Sequence, residues 1–344
     1  MNEIRLRYLL GVLLFVLTNN ISAQDTINDR VNGVSLVSER FLLDSIHLPP
    51  ILRIRANYAA VIPYCFMPYN DSGTVFYEDN NQWEGEGLNG TRVAIQELHK
   101  QGVKTMIKPQ IWVANGVFTG KIEMKSEEEW VKFEKDYGAY IIAFARVAAE
   151  ENSAVYCIGT EMQLVVKSRP QLFLRLIRQV REVYKGKLTY AENWDCFENV
   201  KFWGKLDYIG IDAYFPISKA GIPKKKDLDM GWSKYIPVFD SLSSVVDRKI
   251  IFTEYGYRSI RKCAATPWNY SVTKKEKIDQ RIQVRALTAI YDNIWDQDFF
   301  AGGFLWKWYA NQQYARGKHN SMFTVQNELA EKTVRAQYTK FSKK

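Results

Sequence analysis

Two hydrophobic rhythms alternate along the chain. Short apolar runs rich in β-branched and aromatic residues occur at GVSLVS (33–38), YAAVIPYC (58–65), VKTMIKPQ (103–110) and AVYCIGTE (154–161). Four more follow at KLTYAEN (187–193), LDYIGIDAY (206–214), KIIFTE (249–254) and GGFLWKWY (302–309). Runs of this length and composition predict eight buried strands. Longer stretches between them carry apolar residues at helical spacing. The clearest, SEEEWVKFEKDYGAYIIAFARVAAEE (126–151), opens on Ser126 as N-cap, with acids in the first turn opposing the positive end of the helix dipole. RPQLFLRLIRQVREVY (169–184) places Pro170 near its first turn and Leu172, Leu176, Val180 and Val183 on one side. EKIDQRIQVRALTAIYDNIW (276–295) predicts a third helix, and GLNGTRVAIQELHKQG (87–102) a shorter one that Gly102 stops.

Strands that alternate with helices need crossover connections, and hence a parallel sheet. Eight repeats predict a closed (β/α)8 TIM barrel. The alternative is an open doubly wound sheet, which usually shows a glycine-rich phosphate turn after an early strand; GVSLVSER has none. With 344 residues, 47% of them hydrophobic, the chain can fill a large core and is too apolar for disorder. No linker rich in Pro, Gly or Ser divides it, so residues 24–344 are expected to form one domain.

The first residues differ in character. MNEIRLRYLLGVLLFVLTNNISAQ has Arg5 and Arg7, an apolar run from Tyr8 to Leu17, and a small-residue exit at Ser22-Ala23. Residues 1–23 read as a secretory signal peptide, because the run falls short of the roughly 20 residues a spanning helix needs. An uncleaved anchor is the rival reading. The expected location is periplasmic or secreted, with no membrane-spanning segment once the signal is removed. The formal charge is +9. Its basic clusters KSRP, IPKKKD and VTKKEKID sit beside acids or in loops, which reads first as solvated surface and second as attraction to an acidic polymer. No nucleic-acid motif is present. Cys65, Cys157, Cys196 and Cys263 form no CxxC pair, and their even number in an exported chain leaves disulfides open. His47, His99 and His319 stand in unrelated contexts, so neither a histidine metal site nor a cofactor is expected.

Candidate chemistry lies at two strand ends. YCIGTE closes the fourth strand on Glu161, and IIFTE closes the seventh on Glu254. In a parallel barrel every strand points its C-terminal end at one face, where active sites form. A carboxylate there is costly to bury unless it is paired or used. Either glutamate alone is accounted for by an arginine partner such as Arg258 or by a helix-capping role. Two at matching strand ends fit better the pair that glycosidic cleavage requires. One acid protonates the leaving oxygen, and one carboxylate attacks or stabilises the sugar cation.

Glutamates at these two ends resemble those of the retaining glycoside hydrolases of clan A. The phrases YCIGTEM, YKGKLTYAENWD, FWGKLDYIGIDAYFP, IIFTEYGYRS with TPWNY soon after, and GGFLWKWY together resemble glycoside hydrolase family 113, whose characterised members are β-1,4-mannanases. The likeness runs from about residue 33 to 310. It implies Glu161 as general acid/base, Glu254 as nucleophile, Tyr214 as a hydrogen-bond donor to the nucleophile, and Trp306 as the aromatic floor under the sugar being cleaved. The implied partner is a β-linked polysaccharide or oligosaccharide. An indole suits the apolar C–H face of a pyranose, and packing in the barrel mouth is the competing account of both aromatics. Trp308, two residues on, is expected to point the same way as Trp306. Lys108 and Gln110 end the third strand, Asn193, Trp194 and Asp195 the fifth, and Asp212 lies on the sixth. Each is a candidate sugar contact or a structural hydrogen-bonding group.

Some positions depart from the resemblance. Thr160 stands where much of the clan has an asparagine that contacts the sugar 2-hydroxyl. Gln110 replaces an expected histidine, and VFTG (117–120) lacks an expected aromatic-Arg pair. These bear on substrate choice more than on the reaction. The long loop from Met67 to Gly87, with Trp83, builds further subsites or covers the rim. Two other functions remain open: a non-catalytic carbohydrate-binding protein on a hydrolase-derived barrel, and a carboxylate metal site drawing on Asp195 and Asp212.

Overall fold

A computed structural model describes residues 30–271, 276–315 and 317–342 of the chain. The signal-peptide segment and part of VTKKEKID lie outside the described residues. Eight parallel strands close into the expected barrel. They are β1 (Val31–Val37), β2 (Tyr58–Val61), β3 (Lys104–Ile107), β4 (Val155–Thr160), β5 (Lys187–Asn193), β6 (Tyr208–Asp212), β7 (Lys249–Tyr255) and β8 (Phe300–Tyr309), with β8 paired to β1. Sequence neighbours pair all the way round, which rules out the open doubly wound sheet.

Prolines shorten two of the expected strands. β2 stops two residues before Pro63 and β3 two residues before Pro109, because proline offers no N–H to a ladder. Past the prolines the chain resumes as a separate parallel ribbon, Tyr64–Met67 beside Gln110–Val113. The ribbon extends the barrel mouth and carries Gln110.

The helices follow the apolar pattern. Glu127–Glu150 is capped by Ser126, whose Oγ accepts the N–H of Glu129 at 3.2 Å. Pro170 opens Pro170–Val183. Leu88–Lys100 ends just before Gly102, whose φ of 73° lies in the left-handed region that glycine adopts cheaply. The helix expected over 276–295 spans only Gln280–Asn293. Its first residues are taken by tertiary pairing: Ile278 bridges Ile260, and Asp279 N–H donates to Ser259 O.

Two apolar layers surround the strands. Val31, Ala60, Met106, Val155, Ile251 and Phe304 plug the lower barrel interior, while a larger core fills the space between barrel and helices. All four cysteines are buried and free, so no disulfide joins them. Among the described residues no helix is long and apolar enough to cross a membrane.

The strand ends that matter most are irregular. β4 gains a residue over β5 between Cys157 and Thr160, β7 gains one over β6 beside Thr253, and β8 gains one over β1 between Leu305 and Trp308. Such bulges re-aim side chains at a barrel rim. The β8 bulge, where the Trp306–Lys307 peptide is cis, overturns the expectation for Trp308. Trp306 faces the cleft, whereas Trp308 is wholly buried in the outer core.

Candidate active site

The β7 bulge lets two consecutive side chains reach the interior. Thr253 Oγ donates to Asp212 Oδ1 at 2.7 Å, and Glu254 meets three donors. Lys108 Nζ, at 2.5 Å, and Gln110 Nε2, at 3.1 Å, both address Oε1. The Tyr214 hydroxyl donates to Oε2 at 2.6 Å. These donors come from the end of β3, the ribbon and the turn after β6, so three segments converge on one carboxylate. Burial, with the Glu254 charge added, drives the Tyr214 phenol far above its ordinary pKa and keeps it a donor. Arg258, the alternative partner, instead forms a buried fork with Glu276.

Lys108 and Asp212 lie beneath the cleft with no exposed surface. Lys108 Nζ reaches both Asp212 oxygens, at 2.8 and 2.9 Å. Burial would strip its proton, but the charges of Asp212 and Glu254 outweigh that, and its pKa is raised. Burial and the charge of Glu254 push Asp212 up to about 7, against the pull of Lys108 and the Thr253 hydroxyl. Both residues were candidates for sugar contact. Instead they form the anchor on which Glu254 rests, and an ammonium occupies the space between the two carboxylates.

Glu161 sits one residue past β4 with a φ of 51°. That is left-handed backbone, which costs a non-glycine residue about 1–2 kcal/mol. Its N–H donates to Ala191 O at 2.7 Å, which fixes the turn and sets the partly exposed side chain in the cleft. Burial raises its carboxyl well above the usual range, and the charges of Asp212 and Glu254 raise it further while Lys108 opposes them. A second polar layer supports this turn. Met162 N–H donates to the Tyr190 hydroxyl at 2.9 Å, and that hydroxyl donates to Glu192 at 3.3 Å. Glu192 is buried, also accepts the N–H of Asn193, and is pushed up to about 7 by its burial. Sequence reasoning missed Tyr190 and Glu192, which lie inside a strand rather than at its end.

Both glutamates line one cleft of about 400 Å3, together with Gln110, Asn193, Tyr214 and Trp306. Phe118, Trp268, Tyr270 and Phe323 complete its walls, and none of them was singled out as a site residue. Trp268, inside the phrase TPWNY, stacks on Trp194 at 5.0 Å and 19° between planes. Thr160 is buried, with its hydroxyl donating to Pro109 O, and does not line the cleft. Asp195 is exposed on the loop after β5, also outside the lining. A narrow aromatic cleft thus holds one carboxyl group whose pKa is raised by burial and neighbouring negative charge, and another whose two oxygens meet three donors. That is the division of labour acid-assisted nucleophilic substitution needs.

Comparison with known proteins matches residues 48–328 to the family model of Glycoside Hydrolase Family 113. A beta-mannanase of that family from Alicyclobacillus acidocaldarius, solved in complex with ManMIm, superposes with a TM-score of 0.80 at 20% identity, over 93% of this chain and 100% of that one. Another structure, a beta-1,4-mannanase of the same family, gives 0.79 at 21% identity, over 90% and 99%. A beta-glucuronidase from Ruminococcus gnavus gives 0.59 at 12% identity, over 90% of this chain and 50% of that one. At these identities the structural likeness concerns the fold. No curated protein matches.

Proposed function

The chain belongs to glycoside hydrolase family 113 and is a glycoside hydrolase; from that premise we propose that it cleaves β-1,4-linked mannan, or an oligosaccharide of it, by double displacement. Glu254 is the nucleophile, Glu161 the acid/base and Tyr214 the donor that orients the nucleophile. One observation carries this reading. Glu161 and Glu254 line the same cleft in opposite surroundings, the first burdened by burial and neighbouring negative charge, the second fixed by three donors.

With a pyranose ring over Trp306, a Glu254 oxygen attacks the anomeric carbon. The bond to the glycosidic oxygen breaks as that oxygen takes the Glu161 proton, and the shortened chain leaves. Glu161, now a carboxylate, removes a proton from water. The hydroxide attacks the same carbon, releases Glu254 and restores both groups. Two displacements return the original β configuration. Asn193 and Gln110, both in the lining, offer amide groups to sugar hydroxyls. Gln110 also touches Glu254, so it couples substrate binding to the nucleophile.

Product analysis on manno-, gluco- and xylo-oligosaccharides of equal length tests the substrate. Cleavage of the manno series alone is expected; equal cleavage of the gluco series contradicts the mannan assignment. Binding to all three without product would favour the non-catalytic reading. The location proposed is outside the cytoplasm, resting on residues 1–23. Sequencing of exported protein from a position near Gln24 would bear it out, and retention of Arg5 and Arg7 would contradict it.

A further inference from the structure

Beside the catalytic cleft lies a larger one of about 800 Å3, between the C-terminal ends of β1 and β8. The two share a wall. Trp306 and Phe323 face the catalytic side, while their chain neighbours Lys307 and Met322 face the other. Two chemistries meet in this second cleft. Trp83, Tyr309 and Tyr314 present aromatic surface, with Trp83 40% and Tyr314 54% exposed. Arg40 and Lys307 supply cations. The Arg40 guanidinium lies 5.0 Å over the Trp83 ring, and the Lys307 ammonium lies 5.4 Å from the Trp306 ring and 5.1 Å from that of Tyr309.

Among the described residues neither cation has a salt-bridge partner. Lys307 is half-buried, so it has given up hydration, and ring faces compensate an ammonium less well than a carboxylate does. Glu39, the acid in this cleft, forms no salt bridge with either cation; its side chain is buried and accepts the N–H of Asn311 at 3.1 Å. His319 is the remaining titratable side chain in the walls apart from Tyr309 and Tyr314, and it adds no negative charge. Flat aromatic walls suit sugar rings, and an unpartnered cation between them suits an anion carried on such a ring.

We propose that this second cleft binds a carboxylate-bearing sugar, a uronic acid residue carried on the β-linked hexose chain that the adjacent site cleaves. Lys307 and Arg40 meet the carboxylate, and Trp83, Tyr309 and Tyr314 pack on the sugar. The inference rests on the glycosidase reading and adds to its substrate a preference for acidic hexose chains. The loop from Met67 to Gly87 then has a purpose: it brings Trp83 to this cleft.

The test uses a β-linked hexo-oligosaccharide bearing one glucuronic acid residue, and the same compound after its carboxyl is reduced to the alcohol. At low salt the native protein is expected to show about tenfold higher kcat/KM on the acidic form, in line with a hydrogen bond to a charged group. In Lys307→Gln the ratio should fall toward one, whereas Lys318→Gln, an exposed cation outside the cleft, should keep it. Equal rates on the two compounds in the native protein would overturn the proposal. Calorimetric titration of the same pair into Glu161→Gln protein reads the preference without turnover. If neither compound is hydrolysed, the glycosidase reading fails, and the titration still decides the cleft: tighter binding of the acidic form supports it, and equal affinity refutes it.

Discussion

Lys108 Nζ lies 2.5 Å from Glu254 Oε1, and the lysine that makes this bond has no surface in contact with solvent. The same ammonium bridges to Asp212, so a single cation separates two buried carboxylates. Removing it leaves like charges facing one another in a dry interior. Lys108→Met is expected to lose about 3–5 kcal/mol of stability, read as a lower midpoint in urea unfolding. Adding Asp212→Asn should recover part of the loss. An unchanged midpoint in the single variant would show that the charges are not coupled.

Tyr214→Phe removes one donor from Glu254 and keeps the ring, which packs edge-on against Phe323 at 5.8 Å. The fold should survive. A hydrogen bond to a charged group is worth about 1.5–3 kcal/mol, so kcat/KM should drop roughly 10- to 100-fold. Steady-state kinetics on manno-oligosaccharides measures this, and activity within twofold of native would remove Tyr214 from the mechanism.

The raised pKa of Glu161 sets the alkaline side of the pH profile. The acid must be protonated for the first step, so kcat/KM should persist above the ordinary carboxyl range and fall as Glu161 ionises. Glu161→Gln should nearly abolish cleavage of oligosaccharides. It should retain formation of the glycosyl-enzyme from a dinitrophenyl β-mannoside, whose leaving group needs no proton, and that step should lack the alkaline fall. Persistence of the same fall in Glu161→Gln would assign it to another group.

Glu192 links charge to stability. Its folded pKa of about 7 exceeds the ordinary glutamate value of about 4.3, so the folded state holds its proton more tightly than the unfolded chain. The corresponding stabilisation is complete below pH about 4 and is lost as pH rises through 7, amounting to about 3–4 kcal/mol over that window. Native protein should therefore melt at lower temperature at pH 8 than at pH 5. Glu192→Gln should reduce that difference. An identical pH dependence in the variant would contradict the assignment.

The barrel was legible because its signal is redundant: eight apolar runs, each separated by a helical pattern, admit few other architectures. Glu161 and Glu254 were legible for a related reason, since a carboxylate that ends an apolar strand stands out against its neighbours. What escaped depends on breaks in period. Two-residue alternation places Trp306 and Trp308 on one side, and a single inserted residue in β8 separates them. The β7 bulge likewise turns Thr253 and Glu254 inward together, which alternation forbids. Lys108 and Asp212 stood out as polar groups at strand ends and so as candidate sugar contacts, but their depth is set by how far each strand runs before its rim. Tyr190 and Glu192 carried no local mark, because the Tyr190 hydroxyl, held by Glu192, bonds the backbone after β4, a contact that belongs to tertiary structure alone.

The account turns on Glu254 as the nucleophile. A mannosyl fluoride carrying fluorine at C2 forms the glycosyl-enzyme faster than the intermediate can break down, so incubation should add one fluoromannosyl group to the intact protein by mass spectrometry. Peptide mapping should then place that group on Glu254. A label on another residue, or turnover of manno-oligosaccharides with inverted configuration and no label at all, would contradict it.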